Sequence, residues 1–197
     1  MKHVILNARS KYSHIGQTYR FDDRERRSKA CDALEEGAAY DLTFIMTPES
    51  KAALDSLIAD VWKEAATADI KRKWPQTPSQ LPYKVGENGE IMGKAKLRGA
   101  YSQKRTKPPT VVDAQKNKIE CQDFELPFDS LVNVAVTIVA YNTGAAQGVS
   151  LRLGAIQVLE MGERADDVPF DVVTGYVAKT VPMAAPPTQD FNEEIPF

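Results

Sequence analysis

The segment 131–141, LVNVAVTIVAY, constrains the fold more than any other stretch of the sequence. It is almost continuously apolar and rich in β-branched residues, which is typical of a buried strand and predicts a position at the centre of a barrel. After the short loop 142–148, the segment 149–161 predicts a second strand, in which Gly154 marks an expected bulge or kink. Two long neighbouring strands of this kind indicate a protein organised around a β-sheet.

Several further segments predict β-structure and one predicts a helix. Strands are expected over 3–15, where Val4, Leu6 and Ala8 alternate with other residues, and over 40–46. Hairpins are expected around Asn88-Gly89 and around 114–117. A helix is expected to start at Thr47-Pro48-Glu49, because apolar residues then recur at three- and four-residue spacings, Trp62 among them as a core residue. The highly charged segment 17–36 predicts a solvated loop or a short helix. The fold class is therefore mainly β with one main α-helix, arranged as a small barrel or sandwich.

The positive charges are segregated into one part of the sequence. The segment 71–118 contains twelve lysines and arginines and three acidic residues, a local net charge of +9, whereas the whole chain carries −2. A concentration of cations of this kind indicates a surface for an anionic partner.

Within this segment, the stretch 93–107 alternates cations with small, apolar and aromatic residues. Because side chains in a strand alternate between two faces, Lys94, Lys96 and Arg98 are expected on one face, with Ala95 and Leu97 toward a core. Gly99 then permits a bend or a close approach of another segment. Cations followed by an aromatic ring suit a single-stranded polynucleotide, whose phosphates take the charge and whose bases stack on the ring. The same alternation is also typical of any half-solvated strand.

A second cationic cluster lies at 71–73, directly before Trp74 and a proline-rich loop. Trp74 is a candidate for base stacking, and the alternative is that it plugs a small satellite core. Tyr19 and Phe21, next to Arg20 and Arg24, are expected as a possible extension of the same surface. The candidate nucleic-acid-binding residues are Lys71, Arg72, Lys73, Trp74, Tyr83, Lys94, Lys96, Arg98, Tyr101, Lys104, Arg105 and Lys107.

Other classes of protein are not favoured by the sequence. No apolar run is long enough for a membrane span, the N-terminus does not resemble a secretory signal, and reduced thiols in a cytoplasm are expected. Two cysteines and two histidines are too dispersed for a zinc site, so neither a metal nor a cofactor is expected. A metal-dependent nuclease would have to draw on acids interleaved with arginines that show no ligand spacing, so enzymatic activity is not expected. These acids are Asp22, Asp23, Glu35, Glu36 and Asp41.

The C-terminal part of the sequence differs in composition. From residue 179 it is rich in Pro, Ala, Gln and acids, which predicts a disordered tail, 179–197, after a folded domain, 1–178. Residues 160–197 carry eight acids and two bases, opposite in sign to the central segment. The sequence ends in DFNEEIPF, in which an acidic run is followed by a hydrophobic terminus.

Two stretches resemble known families. DFNEEIPF is similar to the C-terminal peptide of bacterial single-stranded-DNA-binding proteins, and the block 97–115, LRGAYSQKRTKPPTVVDAQ, resembles a family of bacteriophage single-stranded-DNA-binding proteins. The second resemblance implies an OB-fold core followed by an acidic tail. In both groups the terminal peptide docks on proteins of replication, recombination and repair. The resemblance assigns this role to Asp190, Phe191, Glu193, Glu194, Ile195, Pro196 and Phe197. Pro196 and Phe197 would fill a hydrophobic pocket, and the acids would meet basic residues around it.

These observations lead to the hypothesis of sequence-independent single-stranded DNA binding in phage replication or recombination, in the cytoplasm of a host cell. The alternatives are an RNA-binding OB-fold protein and an adaptor that acts only through its tail. The oligomeric state, monomer or dimer, is not decided by the sequence.

Overall fold

A computed structural model describes residues 1–120, Phe124 and 126–162. All of these residues belong to one compact unit, Met1–Asp167. The predicted tail, its peptide 190–197 and the predicted domain boundary lie outside the described residues. The strands are β1 (Lys2–Asp22), β2 (Arg27–Ala30), β3 (Ala39–Met46), β4 (Tyr83–Val85), β5 (Ile91–Arg98), β6 (Ala100–Tyr101), β7 (Lys104–Arg105), β8 (Thr110–Val112), β9 (Lys118–Ile119), β10 (Leu131–Asn142) and β11 (Gln147–Glu160), and the helix is α1 (Pro48–Ala68).

Five of the strands close into a barrel. β1 pairs with β3 and with β10, β3 pairs with β5, and β10 pairs with β11, all antiparallel. A short parallel pairing of β5 with β11 closes the circle. This connectivity is that of an OB-fold with a helix inserted between its second and third barrel strands. The predicted fold class, a mainly β OB-fold-like barrel with one main helix and extended hairpins, is confirmed.

The predicted central strand lies in the barrel wall with a strand on each side. Val132, Val134, Val136 and Ile138 of β10 are buried, because every second side chain points into the barrel. The expected bulge at Gly154 is confirmed: Ala155 pairs with Ala135 and Leu153 with Val136, so Gly154 is the extra residue.

The helix begins as its sequence predicts and covers part of the barrel. Thr47 accepts a hydrogen bond from the backbone N–H of Ser50 at 3.2 Å, and Pro48 occupies the first turn. The buried face consists of Leu54, Ile58, Val61 and Trp62, and α1 packs against β10 and β1.

The segment 17–36 and the start of β1 differ from expectation. β1 continues to Asp22 and turns into β2, because charges of opposite sign meet across the hairpin, as between Lys29 and Asp22 at 2.9 Å. The prediction of a loop or short helix is therefore wrong for residues 17–22 and 27–30. The simple alternation near the N-terminus is also broken. Asn7 has φ 51° at a bulge, so that Ile5 and Ala8 are buried while Leu6 is exposed.

Candidate nucleic-acid interface

The cationic strand β5 has the geometry that its sequence predicts. Lys94, Lys96 and Arg98 are exposed on the outer face of the barrel, Ala95 is fully buried, and Leu97 packs against the core. The three cations therefore form one row along the outside of the barrel, called here the cation row.

A cleft of about 1340 Å³ lies beside this row. Its floor is formed by the outer faces of β5, β10 and β11, and its walls by the loop 33–39 and the β6–β7 hairpin. Three of the predicted residues line it: Lys96, Arg98 and Tyr101. Two further residues that suit nucleic acid, Tyr141 and Arg152, also line the cleft and were not predicted.

Arg152 and Tyr101 meet within the cleft. The guanidinium carbon of Arg152 lies 5.5 Å from the centroid of the Tyr101 ring, within the range of a cation–π contact. Arg152 is also the direct partner of Lys96 where β11 pairs with β5. The signal that could have identified Arg152 is the alternation of Ser150 and Arg152 with the buried Leu151 and Leu153 in β11.

Acidic residues shape one wall of the cleft. Glu35 and Glu36 line it, and Glu35 lies 3.4 Å from Arg20. The backbone N–H of Leu34 and the guanidinium of Arg105 lower the pKa of Asp32 below its ordinary value. Arg105 lies 2.8 Å from that carboxylate, so it ties the β6–β7 hairpin to the opposite wall.

At Gly99, the loop 33–39 that forms this wall lies close against the backbone that follows β5. Its N–H donates to the carbonyl of Ala38 at 2.8 Å. A Cβ at position 99 would lie 2.6 Å from the carbonyl oxygen of Ala33, inside contact distance. The close approach that the glycine predicted is therefore present.

Asp41 organises the other side of the cation row. Its carboxylate lies 3.0 Å from Nδ1 of His14 and 2.9 Å from Nζ of Lys94. Burial opposes ionisation of Asp41, but the hydrogen bonds from His14 and Lys94 outweigh it, so its pKa is lowered. Lys94 is thus charge-paired, whereas Lys96 and Arg98 form no ion pair with any residue that the structure describes.

The second cationic cluster lies near one end of the cleft. Arg72 donates to the carbonyl of Asn142, and the Asn142 side chain donates to the carbonyl of Lys73 at 3.2 Å. Because Thr143 follows Asn142 and lines the cleft, these bonds bring the segment 71–73 close to it. Lys71, Arg72 and Lys73 are exposed there, as are Lys104 and Lys107 at the β6–β7 hairpin and after it.

The other two predicted aromatic residues lie on the helix side. Trp74 packs edge-to-face on Trp62, with ring centroids 4.7 Å apart, which corresponds to the alternative of a plug against the core. The hydroxyl of Tyr83 donates to Asp55, and Lys51 lies over its ring at 5.1 Å. Neither ring is among the residues that line the cleft.

Among the residues that the structure describes, the acids do not gather into a candidate metal site. In 1–120, Phe124 and 126–162, no group of three or more His, Cys, Asp or Glu side chains is placed to hold a metal ion. Asp22, Glu35 and Asp41 instead form ion pairs with Lys29, Arg20 and Lys94. Among the described helices, none has the length and apolar character that crossing a membrane requires.

The sequence and the fold of this chain are similar to those of bacteriophage single-stranded-DNA-binding proteins. Residues 3–166 match the family described as Enterobacter phage Enc34, ssDNA-binding protein. The single-stranded DNA-binding protein from bacteriophage Enc34 has 13% identity over 86% of this chain and 87% of its own, with a TM-score of 0.59. The gp2.5 single-stranded DNA-binding protein encoded by bacteriophage T7 has 19% identity over 86% and 98%, with a TM-score of 0.60. The Enc34 protein in complex with ssDNA has 15% identity over 82% and 88%, with a TM-score of 0.60. At these identities the likeness supports the fold. No curated protein sequence matches the chain.

Proposed function

Since the chain belongs to the family of the Enterobacter phage Enc34 ssDNA-binding protein, we propose that it binds single-stranded DNA without sequence preference, in the cleft on the outer face of the barrel. The observation that carries the proposal is the joint presence of Lys96, Arg98 and Arg152 beside Tyr101 in one cleft. Phosphates bind the cations and an unpaired base stacks on the ring. Every base has a π-face, so this mode of binding tolerates any sequence.

Exposed cations beside the cleft extend the proposed path of the strand. Lys104 and Lys107 lie at and after the β6–β7 hairpin, and the segment 71–73 lies beside the end of β10. Four to six phosphate contacts along this path give a log–log salt slope of roughly −3 to −4 for a single strand. Trp74 and Tyr83 take no part in this proposed interface.

The C-terminal peptide 190–197 is the second part of the proposal. Its acids and terminal phenylalanine recruit proteins of phage replication or recombination through a basic and hydrophobic pocket on the partner. The protein acts in the host cytoplasm. Because the tail is anionic, it also competes with DNA for the cleft, so removal of residues 186–197 tightens DNA binding while it abolishes recruitment. Unchanged affinity after truncation would contradict this competition.

The DNA-binding proposal is tested by fluorescence anisotropy with labelled oligonucleotides of equal length. Single-stranded DNA of two unrelated sequences is compared with duplex DNA and with single-stranded RNA, at about 50 and 200 mM salt. We expect equal, salt-sensitive affinity for the two single strands and weaker binding of the duplex. Salt-insensitive binding would contradict the ionic mechanism, and tighter binding of RNA would assign the cleft to RNA.

A pair of variants locates the site. The double variant Lys96→Ala/Arg98→Ala removes two cleft cations, and we expect the salt slope to fall by about 1.4, which is about 0.7 per lost contact. Lys63→Ala, an exposed lysine on α1 that does not line the cleft, is the matched control. If both variants bound like the wild type, the cleft would not be the DNA site.

A further inference from the structure

A second cavity, of about 560 Å³, lies on the outer face of β10 and β11. Its floor is lined by Ala135 and Thr137 of β10 and by Gly154 and Ala155 of β11. These residues have short side chains or none, so the floor is low. This space, called here the second cavity, has no part in the interface described above.

The second cavity continues the cleft along the same two strands. The outward residues of β10 line first the cleft and then the second cavity, in the order Tyr141, Val139, Thr137 and Ala135. Arg152 lines the cleft, and its pairing partner Thr137 lines the second cavity. The combined floor from Tyr141 to Ala135 extends over about 20 Å, at about 3.4 Å per residue. The two cavities are therefore neighbouring parts of one surface.

The β1 side of the second cavity is formed by a cation and an apolar side chain. Lys2 pairs with Thr137, and Val4 pairs with Ala135, where β1 lies beside β10. Both Lys2 and Val4 line the second cavity, and Val4 is 46% exposed. The two longer side chains border the low floor on this side.

The opposite side is bordered by the β8–β9 hairpin. Thr110 of β8 pairs with Ala155 of β11. In β9, Lys118 is exposed and pairs with Val112, whereas the next residue, Ile119, packs against the core. Lys118 therefore stands on the outer face, two strand spacings or about 10 Å from β11. The low floor thus lies between a lysine of β1 and a lysine of β9.

The charges around the second cavity favour an anionic ligand. Lys2 and Lys118 form no ion pair within the part of the chain that the structure describes. None of the described residues that line the second cavity is acidic, whereas Glu35 and Glu36 line the cleft. A polyanion that leaves the cleft in this direction therefore meets cations without competing carboxylates.

We propose that the second cavity binds the nucleotides of a single strand that leaves the cleft, so that the DNA site extends along the outer face of β10 and β11. The inference rests on the proposed binding of single-stranded DNA in the cleft and adds a site for further nucleotides. Phosphates contact Lys2 and Lys118. Sugars and bases pack on the low floor and against Val4 by apolar contact.

The dependence of affinity on oligonucleotide length tests this extension. The variant Lys2→Ala/Lys118→Ala is titrated by fluorescence anisotropy with oligonucleotides of about 4 to about 16 nucleotides, the range of site sizes of OB-folds. We expect wild-type binding of the shortest oligonucleotides. For the longest, we expect about fivefold weaker binding at low salt and a salt slope smaller by about 1.4, which is about 0.7 per lost contact.

The matched control is Lys63→Ala/Lys84→Ala, which removes two exposed lysines that line neither cavity. We expect this variant to bind oligonucleotides of every length like the wild type. Equal behaviour of the two double variants at every length would overturn the inference. The midpoint of thermal unfolding follows the folding of each variant.

Crosslinking locates the strand on the wild-type, full-length protein. A diazirine group is placed on one base at successive positions of the oligonucleotide, and the crosslinked tryptic peptides are identified by mass spectrometry. Cleavage after Lys2 and Arg9 releases HVILNAR, and cleavage after Arg152 and Arg164 releases LGAIQVLEMGER. Neither peptide contains a residue that lines the cleft. We expect both to be crosslinked from positions near one end of the oligonucleotide. Crosslinks confined to peptides with cleft residues would contradict the extension.

The outcomes distinguish this inference from the proposed function. Wild-type affinity of Lys2→Ala/Lys118→Ala at every length, together with weakened binding of Lys96→Ala/Arg98→Ala, would overturn the second cavity and leave the cleft as the DNA site. Absence of any binding by the wild type would overturn the proposed function itself.

Discussion

The guanidinium of Arg152 lies over the ring of Tyr101, with 5.5 Å between its carbon and the ring centroid. The two residues come from distant parts of the sequence, and the contact joins the β6–β7 hairpin to the barrel wall at β11. One face of the tyrosine is therefore covered by a cation, while 40% of the residue's surface stays exposed.

Removal of Arg152 takes away both a phosphate contact and the cation on the ring. We expect Arg152→Ala to weaken binding of single-stranded DNA about 5- to 10-fold and to lower the salt slope by about 0.7. Arg152→Lys keeps the charge, so it should keep the slope. Anisotropy titrations at several salt concentrations measure both quantities, and an unchanged slope in Arg152→Ala would place this residue outside the interface.

Asp41 places a negative charge beneath a proposed polyanion site. Its lowered pKa keeps it ionised at pH 7, and it neutralises Lys94. We expect Asp41→Asn to tighten DNA binding about fivefold at low salt, since one unit charge at a few ångströms contributes about 1 kcal/mol in water. The effect should fade as salt is raised. Asp60→Asn, on the exposed face of α1, is the control, and equal effects of the two variants would contradict a local role for Asp41.

Gly99 is expected to be essential for the wall of the cleft. In Gly99→Ala the new Cβ would lie 2.6 Å from the carbonyl oxygen of Ala33 and 3.0 Å from its Cα, so backbone must move. We expect a loss of about 1–3 kcal/mol in the free energy of unfolding, measured in denaturant. Gly154→Ala is the comparison, because its nearest contact, the Ala135 carbonyl oxygen, is 3.2 Å away. A smaller loss in Gly99→Ala than in Gly154→Ala would contradict the predicted clash.

The β1–β2 hairpin should loosen in acid. The hydrogen bond from Lys29, and then that from the backbone N–H of Glu25, lower the pKa of Asp22 from 3.8 to about 2. A carboxyl whose pKa is lowered on folding stabilises the folded state above its ordinary pKa, and this contribution is lost as the pH falls toward 2. We expect the protection of the hairpin amides from hydrogen exchange to fall between about pH 5 and about pH 2 in the wild type. The fall should be smaller in Asp22→Asn, which lacks the titrating carboxyl. Asp23→Asn, at the adjacent position, is the control and should respond to acid like the wild type.

A substitution of Trp74 distinguishes a structural role of this residue from a role in DNA binding. Its ring packs on Trp62, and its buried Nε1 has no hydrogen-bond partner among the residues described. Trp74→Phe keeps an aromatic ring and removes that donor, so we expect a change of about 1 kcal/mol or less in the free energy of unfolding and unchanged DNA affinity. A large loss of affinity in this variant would place Trp74 in the interface.

The features that could be predicted from the sequence are those set by local periodicity. The alternation in β5, the cap at Thr47 and the turn at Asn88-Gly89 depend on neighbouring residues, and all are present. The proximity of Arg152 to Tyr101 depends on barrel closure, which no local pattern encodes. The sequence of the charged segment predicts a loop or a short helix, because the ion pair of Lys29 with Asp22 forms across two strands and leaves no local pattern. The role of Trp74 cannot be predicted from the sequence alone. The cations before it indicate a polyanion site, whereas its ring packs on Trp62 of the helix, a contact that no local pattern encodes.

The pairing of β5 with β11, which closes the barrel, places two positive charges next to each other. Lys96 and Arg152 are direct neighbours where β5 meets β11, and like charges side by side across two strands repel each other. In the proposed mode of binding, a nucleic acid over this seam would supply the counter-charge for both side chains. We therefore expect ligand binding and the β5–β11 pairing to be thermodynamically linked, so that bound nucleic acid stabilises the strands that close the barrel.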